Sequence, residues 1–384
     1  MKRYILYVTG SRADYAPMKT TLLRIKESGL FRLGIVATNM HLSRRHGFTL
    51  KEVINDGFRV VAKISALTQG LRGDEMLRAF SKLLTELVTV VVNERPKIIL
   101  VMGDRWEALA AAMVGNYLNK VVVHVHGGDV TGSLDEPNRH IITRFAHVHL
   151  VPTENHARRL IRMGEQRWRI YVVGSPGLDD IVEGRYAKPS EIEEKYSIDV
   201  SEGYILVVQH PVTTEVEQAG RQMRETLKAV LRTGLKAIII YPNTDAGGND
   251  MVKVINFFVR RYPQRLKAYG NLPRYDYLGL MANALAMVGN SSSALIEAPL
   301  FKLPVVNVGT RQEGRLKAEN VIDADYDSKS IYNALKKALS EDFRRSLEKS
   351  CSSPYGDGKT SYRIVDVLAK LKTSRKLLQK KLVF

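Results

Sequence analysis

Short apolar runs alternate with longer amphipathic stretches along almost the whole chain. The first apolar run, YILYVTG (4–10), precedes PMKTTLLRIKESG (17–29), which has a proline near its start and a glycine at its end, as helices do. Strand-length runs of β-branched residues followed by helical periodicity are typical of β–α units. The same pattern predicts strands at 33–38, 97–103, 121–127, 147–152 and 169–176, and a long helix over 73–96.

This alternation is interrupted once and then resumes. Residues 174–200 are polar and contain three Gly and two Pro, a composition that predicts an interdomain connection. The pattern as a whole predicts an α/β protein of two Rossmann-like parallel-sheet domains facing each other across a cleft. Further strands are predicted at 203–210, 235–243, 284–292 and 303–310, and the predicted domains are 1–178, 179–360 and a C-terminal helix over 361–384.

Length and composition fit this picture. With 384 residues, 45% hydrophobic and 26% charged, the chain can build two ordinary globular cores. The apolar N-terminal run is broken at Gly10, and no run approaches the roughly 20 apolar residues of a membrane helix. The single cysteine, Cys351, allows no intramolecular disulfide. These features predict a cytoplasmic protein.

The net charge of +18 suits a nucleic-acid or anionic-membrane binder, and equally an enzyme for phosphorylated substrates. The sequence contains no zinc finger, aromatic RNP motif or basic zipper, so we predict no nucleic-acid partner. Basic residues are densest at 370–381. We predict that this segment docks as a helix with a solvated basic face and has no membrane partner, with an anionic-membrane contact as the alternative.

Polar residues gather directly after the apolar runs, where parallel sheets bind ligands. The first such loop, TGSRADY, carries Arg12 and Asp14, and it could hold a diphosphate or be an ordinary strand–helix turn. The loop GDRWEAL sets Asp104 beside Arg105. A carboxylate at that position could act as a base, or it could simply cap the following helix.

A third loop, GNSSSALIEAPL, places Gly289 and three serines ahead of a helix predicted to begin near Ser292. Free amides and hydroxyls at such a start can cradle a phosphate, and Glu297 could bind two ribose hydroxyls. An ordinary helix cap with a surface glutamate remains the alternative. Arg311 and Arg315 could face the same anion or be solvated loop residues.

Six of the nine histidines lie between residues 124 and 156. His124 and His126 are two apart on one strand and share a face, and His147 and His149 repeat that spacing. Clustered histidines suggest a metal site, yet the chain has no H-E-x-x-H helix and no cysteine ligand at a metal-binding spacing. We therefore predict no metal, with His147 and His149 as core or supporting groups.

Taken together, the strand-end motifs resemble the hydrolysing UDP-N-acetylglucosamine 2-epimerases of sialic-acid-type sugar biosynthesis. The resemblance runs in order from about residue 4 to 320, and motifs of the non-hydrolysing relatives (G-T-R-P-E, E-A-G-L-R, H-R-R-E-N) are absent. It implies a glycosyltransferase-B-like fold, a C-terminal helix that crosses back to the N-terminal domain, and a homo-oligomer, either dimer or tetramer. The matching motifs are TGSRADY, GDRWEAL, HVHGGDVTGSLDEPNRHIITRFAHVHLVPTE, VGSPGLD, QHPVTTE, YPNTDAGG and GNSSSALIEAPLFKLPVVNVGTRQEGR.

The resemblance also implies a reaction and a UDP-sugar partner. A base removes the C2 proton, UDP leaves C1 to give a 2-acetamidoglucal, and water adds with protonation at C2 from the other face. The products are N-acetylmannosamine and UDP, and neither cofactor nor metal is required. Three alternatives stay open: the same chemistry on UDP-2,4-diacetamido-2,4,6-trideoxy-glucose (bacillosamine type), a glycosyltransferase of the same fold, and a non-catalytic binding protein.

Position 126 departs from some relatives, which have glutamate there in an H-I-E-G-G-E arrangement. Histidine titrates near neutrality and can act as acid or base, so the sugar and the assignment of acid and base both stay open. Matched to the family motifs, the catalytic candidates are Asp104, His126, Asp129, Asp135, Arg139 and His210. The candidates for substrate or UDP binding are Arg12, Asp14, Arg105, Asn243, Ser291, Ser292, Glu297 and Arg315.

Overall fold

The computed structural model describes residues 2–44, 48–66, 73–130, 135–212, 214–242, 246–270 and 272–383, without the side chain of Asp135. The chain divides into two compact units. Unit 1 comprises Met1–Asp129, Asp135–Asp179 and Tyr355–Phe384, and unit 2 comprises Val130–Leu134 and Asp180–Pro354. The domain boundaries at 178 and 360 stay a prediction from the sequence.

Unit 1 is built on a parallel sheet in which the described residues form seven strands. These strands are β1 (Arg3–Thr9), β2 (Phe31–Thr38), β3 (Val60–Ile64), β4 (Ile98–Met102), β5 (Val121–Val125), β6 (Val148–Val151) and β7 (Ile170–Val172). Their order is β3-β2-β1-β4-β5-β6-β7. β3 is not among the predicted strands, because VVAKI is short and follows only a brief helix.

Helices cover both faces of this sheet. Alternate strand residues face opposite sides, so Tyr7 and Val123 belong to one apolar core and Leu6 and Val122 to another. Strands buried on both faces are apolar at every position, which explains the continuous runs in the sequence. The helices up to residue 182 are α1 (Arg12–Glu27), α2 (Leu50–Asn55), α3 (Gly73–Glu94), α4 (Trp106–Tyr117), α5 (Asp135–Phe145), α6 (Glu154–Arg162) and α7 (Leu178–Val182).

Unit 2 repeats the plan with a parallel sheet of six strands among the described residues. The strands are β8 (Tyr204–Val208), β9 (Lys236–Ile240), β10 (Leu266–Tyr269), β11 (Ala286–Gly289), β12 (Val305–Val308) and β13 (Val321–Ala324), in the order β10-β9-β8-β11-β12-β13. Its helices are α8 (Pro189–Tyr196), α9 (Ala219–Arg232), α10 (Gly248–Arg261), α11 (Arg274–Asn283), α12 (Ser293–Ile296), α13 (Ser328–Ala338) and α14 (Glu341–Ser350). The predicted connection over 174–200 thus contains two helices, α7 and α8.

The C-terminal segment packs on unit 1 as two helices, α15 (Thr360–Lys370) and α16 (Arg375–Leu378), where the sequence predicts one. Ile364 and Leu368 of α15 join the core that also contains residues of α1. The carboxylate of Asp179 caps α15, because it accepts hydrogen bonds from the amides of Thr360 (3.2 Å) and Ser361 (2.9 Å). Among the described residues, no helix has both the length and the apolar character needed to cross a membrane.

Candidate active site

Two neighbouring strands of unit 1, β4 and β5, end side by side and are followed by Asp104 and His126. The amide of Gly103 donates to the carbonyl of Val125 (3.0 Å), and the amide of His126 donates to the carbonyl of Leu150 on β6 (2.9 Å). His126 has a φ of 68°, in the left-handed region that non-glycine residues seldom adopt. The two side chains are therefore carried on turns at the same edge of the sheet.

Asp104 forms an ion pair with Arg139, which projects from α5. The side chain of Arg139 is only 3% exposed, whereas that of Asp104 is 21% exposed. Burial opposes the charge of Arg139, but the carboxylates of Asp104, Asp129 and Glu136 outweigh it and raise the pKa of the guanidinium. Nε and Nη1 of Arg139 have no hydrogen-bond acceptor among the described residues, and Nη1 lies 3.8 Å from Oε2 of Glu136. A permanently charged group with unused donors therefore lies next to a carboxylate that solvent can reach.

His126 faces Ser175, which follows β7. Its Nε2 lies 3.2 Å from the hydroxyl oxygen of Ser175. Two residues near the C-terminus hold the backbone of Ser175 in place. The amide of Ser175 donates to the carbonyl of Tyr355 (2.8 Å), and the carbonyl of Ser175 accepts from the hydroxyl of Thr360 (3.1 Å). Sequence reasoning missed Ser175 as a partner of the histidine. Its place after a predicted strand, in VGSPGLD, is the signal that could have found it.

Asp129 forms a buried pair with His156 at the start of α6. The Oδ1 atom of Asp129 lies 3.3 Å from Nε2 of His156, and both side chains are less than 5% exposed. The ring of His156 also packs edge-on against His126 (6.1 Å between ring centres) and against Tyr355 (6.2 Å). Asp129 thus reaches the candidate site through an imidazole that contacts His126.

The remaining clustered histidines have structural partners. His124 lies 2.8 Å from the carbonyl of Gly103, and burial lowers its pKa to about 3. His147 accepts from the amide of Val122 (3.1 Å), and burial, followed by the charges of Lys380 and Arg169, lowers its pKa to about 4. Over the described ranges, no group of three or more His, Cys, Asp or Glu side chains is placed to hold a metal ion.

The charged residues of the TGSRADY loop pair with groups of the loop itself and of α2. Asp14 accepts from the amides of Gly10 (3.0 Å) and Ser11 (2.8 Å), so it is a helix-capping residue of α1. Arg12 is paired with Glu52 of α2 through its Nε and Nη2 atoms. The structure thus gives both predicted binding residues local partners within the loop and α2.

Arg105 forms a two-pronged ion pair with Glu107, both contacts measuring 3.1 Å. Glu107 is 1% exposed and also accepts from the side-chain amide of Asn39 (3.0 Å). A Cβ on Gly10 would lie 2.4 Å from the Oε1 atom of Glu107, so a larger residue there would displace this buried carboxylate. Sequence reasoning missed Glu107, although a single acidic residue in an alanine-rich helix was a signal.

Two predicted residues cannot be placed. Asn243 lies outside the described residues, and so does the side chain of Asp135.

In unit 2, the ends of β8 and β11 are joined by Asn290. Its side-chain oxygen accepts from the amide of His210 (2.7 Å) and its side-chain nitrogen donates to the carbonyl of His210 (2.9 Å). Gly289 has a φ of 136°, and a Cβ there would lie 2.1 Å from the carbonyl oxygen of Val208. Burial, followed by the charge of Arg311, lowers the pKa of His210 to about 3. His210 is therefore a neutral imidazole at pH 7.

The serine loop continues from this junction into α12, which begins at Ser293, with Ser292 as its N-cap residue, close to the predicted start. The hydroxyls of Ser291 and Ser293 are 2.9 Å apart, and the phenol of Tyr277 lies 2.5 Å from the hydroxyl of Ser293. Ser292 makes no side-chain capping bond to α12. Burial raises the pKa of Tyr277 well above its ordinary value, so Tyr277 stays protonated and can donate.

Glu297 is paired with Arg274, the first residue of α11. Arg274 donates to Glu297 (3.2 Å) and to Asp180 (3.1 Å). Burial opposes the charge of Arg274, but these two carboxylates outweigh it and raise its pKa. Sequence reasoning missed Arg274 and Tyr277. Both follow β10, a strand that the apolar pattern did not predict.

The GTRQEGR segment folds back on the same junction. Arg311 Nη1 (3.1 Å) and Gln312 Nε2 (2.8 Å) both donate to the carbonyl of Asn290. Arg315 donates to the carbonyl of Val130 (2.9 Å) and to the side chain of Gln312 (3.1 Å). The structure thus brings His210, Ser291, Glu297 and Arg315 into one loop cluster of unit 2.

The sequence profile described as UDP-N-acetylglucosamine 2-epimerase matches residues 23–369. The chain belongs to this family. This family assignment confirms the resemblance to UDP-N-acetylglucosamine 2-epimerases drawn from the strand-end motifs. Two parallel Rossmann-like sheets likewise confirm the predicted fold class, the glycosyltransferase-B-like α/β type.

Two relatives cover nearly the whole epimerase chain. A protein of Legionella pneumophila named UDP-N,N'-diacetylbacillosamine 2-epimerase (hydrolyzing) is 37% identical over 380 residues, 99% of each chain. A UDP-N-acetylglucosamine 2-epimerase of Neisseria meningitidis serogroup B is 34% identical over 341 residues, 88% of each chain. Among solved structures, that of the UDP-GlcNAc 2-epimerase from Neisseria meningitidis bound to UDP-GlcNAc has a TM-score of 0.81 at 17% identity, covering 96% of this chain and 100% of that one. At that identity the likeness concerns the fold alone.

Proposed function

We propose that this epimerase is of the hydrolysing type and converts a UDP-2-acetamido sugar and water into UDP and the free C2-epimer. The observation that carries the proposal is the Asp104–Arg139 pair beside the turn that presents His126. Removing and returning a proton at C2 requires two groups that can exchange protons, and a carboxylate and an imidazole meet that requirement. A buried guanidinium with unused donors suits negative charge that develops during elimination.

The proposed reaction balances as an elimination followed by a hydration. In the first step the C2–H bond breaks, the proton passes to the base, and the C1–O bond to UDP breaks to give a 2-acetamidoglucal. In the second step the oxygen of water bonds to C1 and gives up one proton to a protein group or to solvent, while a protein acid adds a proton to C2 from the opposite face. Asp104 and His126 are our candidates for the two proton-transfer groups.

The loop cluster of unit 2 is our candidate for UDP binding. Neutral His210 and the hydroxyls of Ser291 and Ser292 supply donors without a fixed charge, and Arg315 supplies a cation. An approaching diphosphate would favour protonation of His210, because an opposite charge favours the charged form. Glu297, oriented by Arg274, would accept hydrogen bonds from ribose hydroxyls.

For the sugar, we propose the UDP-2,4-diacetamido-2,4,6-trideoxy type. The 37% identical Legionella relative, matched over 99% of both chains, is named for UDP-N,N'-diacetylbacillosamine and for hydrolysis. UDP-N-acetylglucosamine is the second candidate, since the 34% identical Neisseria relative is named for it. In the latter case the product would be N-acetylmannosamine, as in sialic-acid-type biosynthesis.

A single experiment separates these substrates. The protein is incubated with each UDP-sugar in deuterated water, and NMR follows free UDP, the released sugar and deuterium at C2. We expect UDP release with deuterium at C2, faster with the diacetamido sugar. Absence of UDP release from both sugars would contradict the proposed function, and faster turnover of UDP-N-acetylglucosamine would contradict only the sugar assignment.

The same assay tests the role of His126. If His126 transfers the C2 proton, the His126→Gln variant incorporates deuterium at C2 far more slowly than the unmodified protein. Incorporation at the full rate would assign that step to Asp104 or another carboxylate.

A further inference from the structure

Residues 375–380, which belong to unit 1, pack beside the helix that carries Arg139. Arg169, whose side chain is 1% exposed, donates to the backbone carbonyls of Leu377 (2.7 Å) and Lys376 (3.0 Å). Leu377 is itself 2% exposed and belongs to a core of unit 1. The basic segment is therefore docked through its backbone, and its side chains are not all solvated as the sequence predicted.

This docking places Lys380 at the carboxyl end of α5. Its ammonium group donates to the carbonyls of Thr143 (2.6 Å), Arg144 (3.2 Å) and Ala146 (2.9 Å). The last carbonyls of a helix lack partners within the helix and carry partial negative charge. The side-chain amide of Asn116 donates to the carbonyl of Phe145 (3.2 Å). The final turn of α5 is thus fixed by contacts from outside the helix.

A buried carboxylate keeps the ammonium group in that position. Glu165, with no exposed side-chain surface, contacts Lys380 at 2.7 Å. It also contacts Arg144 of α5 (3.2 Å) and His149 of β6 (3.2 Å). One carboxylate therefore links the chain end, the last turn of α5 and the strand beside β5.

The start of α5 follows residues 131–134, which lie outside the described residues. Its described contacts to the rest of unit 1 include the Asp104–Arg139 pair and buried Ile142 in the middle, and Asn116, Glu165 and Lys380 at its end. Arg139 and Thr143 are one turn apart, about 6 Å along the helix axis. A tilt of the last turn would shift the guanidinium, because an intact helix is stiff over that length.

We propose that Lys380 is a positioning residue that sets the placement of Arg139 against Asp104 by capping α5. The proposal rests on the proposed function, in which that pair serves the reaction. A displacement of about 1 Å in a catalytic group can lower turnover by about 100-fold. Lys380 therefore acts on the rate of the chemical step and has little effect on the affinity of unit 2 for UDP.

The groups facing Lys380 also predict a pH signature. Burial, opposed by Glu165 and reinforced by the charges of Arg169 and Arg144, lowers the pKa of Lys380 to about 8. His147 and His149 face the same cluster, and burial keeps both neutral near pH 7. The ammonium group is charged below about pH 8 and loses its charge as the pH rises through that value, which weakens the cap. Turnover falls in the same range.

The test compares Lys380→Met with Lys381→Met, a matched change at the adjacent exposed residue, and with Lys380→Arg, which keeps the charge. For each protein we would measure kcat and KM from pH 6.5 to 9.5 and UDP affinity by calorimetry. For Lys380→Met we expect kcat to fall about 10- to 100-fold with UDP affinity unchanged. Lys381→Met should match the unmodified protein, and Lys380→Arg should retain turnover above about pH 8.

Two results would overturn the proposal: an unchanged kcat in Lys380→Met, or an equal loss of turnover and of UDP affinity, which would indicate general unfolding. If the unmodified protein releases no UDP from any sugar, the proposed function fails by itself. Amide hydrogen exchange then still tests the cap. Residues 139–146 should exchange faster in Lys380→Met than in Lys381→Met, and equal rates would contradict capping.

Discussion

The candidate residues of the two units differ in kind. In unit 1 they are ionisable groups in mutual contact: Asp104 with Arg139, and Asp129 with His156. In unit 2 they are hydroxyls and a neutral imidazole near Asn290, together with Arg315 and with Glu297, which is paired with Arg274. Groups that exchange protons suit chemistry, whereas fixed donors suit binding of an anion. The comparison suggests that one unit carries out the reaction and the other holds the nucleotide.

The largest expected effect is a loss of turnover without a loss of UDP affinity. Asp104→Asn should lower turnover by about 10²- to 10⁴-fold, the usual contribution of an acid or base, while UDP affinity stays within about twofold. Steady-state UDP release and calorimetry with UDP measure the two quantities. Asp366→Asn, on the exposed surface of α15, is the matched control and should leave both unchanged. Parallel losses of turnover and UDP affinity would contradict the assignment of the reaction to unit 1 and of UDP binding to unit 2.

The reciprocal change targets unit 2. Arg274→Met should destabilise the protein by about 3–5 kcal/mol, because Glu297 would lose its buried cation and Asp180, which also pairs with Arg185, would lose one of its cations. It should also weaken UDP binding, because Glu297 would lose its orientation. Urea unfolding and calorimetry measure these effects against Arg224→Met, an exposed arginine of α9. Equal stability of the two variants would show that the buried pair carries little energy.

Acid should weaken unit 1 through its buried histidines. The folded-state pKa values of His124 (about 3) and His147 (about 4) lie below the ordinary 6.5. At a pH between these values and 6.5, the unfolded chain therefore binds more protons than the folded chain. The contribution of these histidines to the free energy of unfolding is therefore fully present above pH 6.5. It decreases as the pH falls towards 4, by about 2 kcal/mol per histidine at pH 5. Trp106 and Trp168, the only tryptophans of the chain, both belong to unit 1. Their fluorescence in urea at pH 7.5 and pH 5 measures this unit, and equal midpoints would contradict the expectation.

The smallest effect concerns Ser175. Ser175→Ala removes the hydroxyl that faces His126 and should lower kcat about fivefold, since such a bond contributes about 1 kcal/mol. If His126 transfers a proton, the pH profile of kcat should also shift, because the hydroxyl favours one protonation state of the ring. Ser330→Ala on α13 serves as the control. A lower kcat with an unmoved pH profile would indicate that Ser175 only supports packing.

The sequence predicted the parts of the molecule that depend on local pattern. Strand runs and the loops after them located Asp104, His126 and Ser291, because ligands bind at the carboxyl ends of parallel strands. Arg274 was missed because it follows β10, whose four residues LKAY lack a clear apolar run. Lys380 was missed because its partners are more than 200 residues away in the sequence. No local pattern encodes such contacts.

The left-handed backbone of His126 has an evolutionary consequence. That conformation costs a non-glycine residue about 1–2 kcal/mol, and glycine adopts it freely. Selection for thermal stability alone would therefore drive position 126 towards glycine, and the imidazole would disappear from the lineage. A library of this chain screened by heat should accumulate His126→Gly, whereas a library screened by UDP release should retain histidine. A residue that a stability screen discards would then be one that the proposed reaction uses.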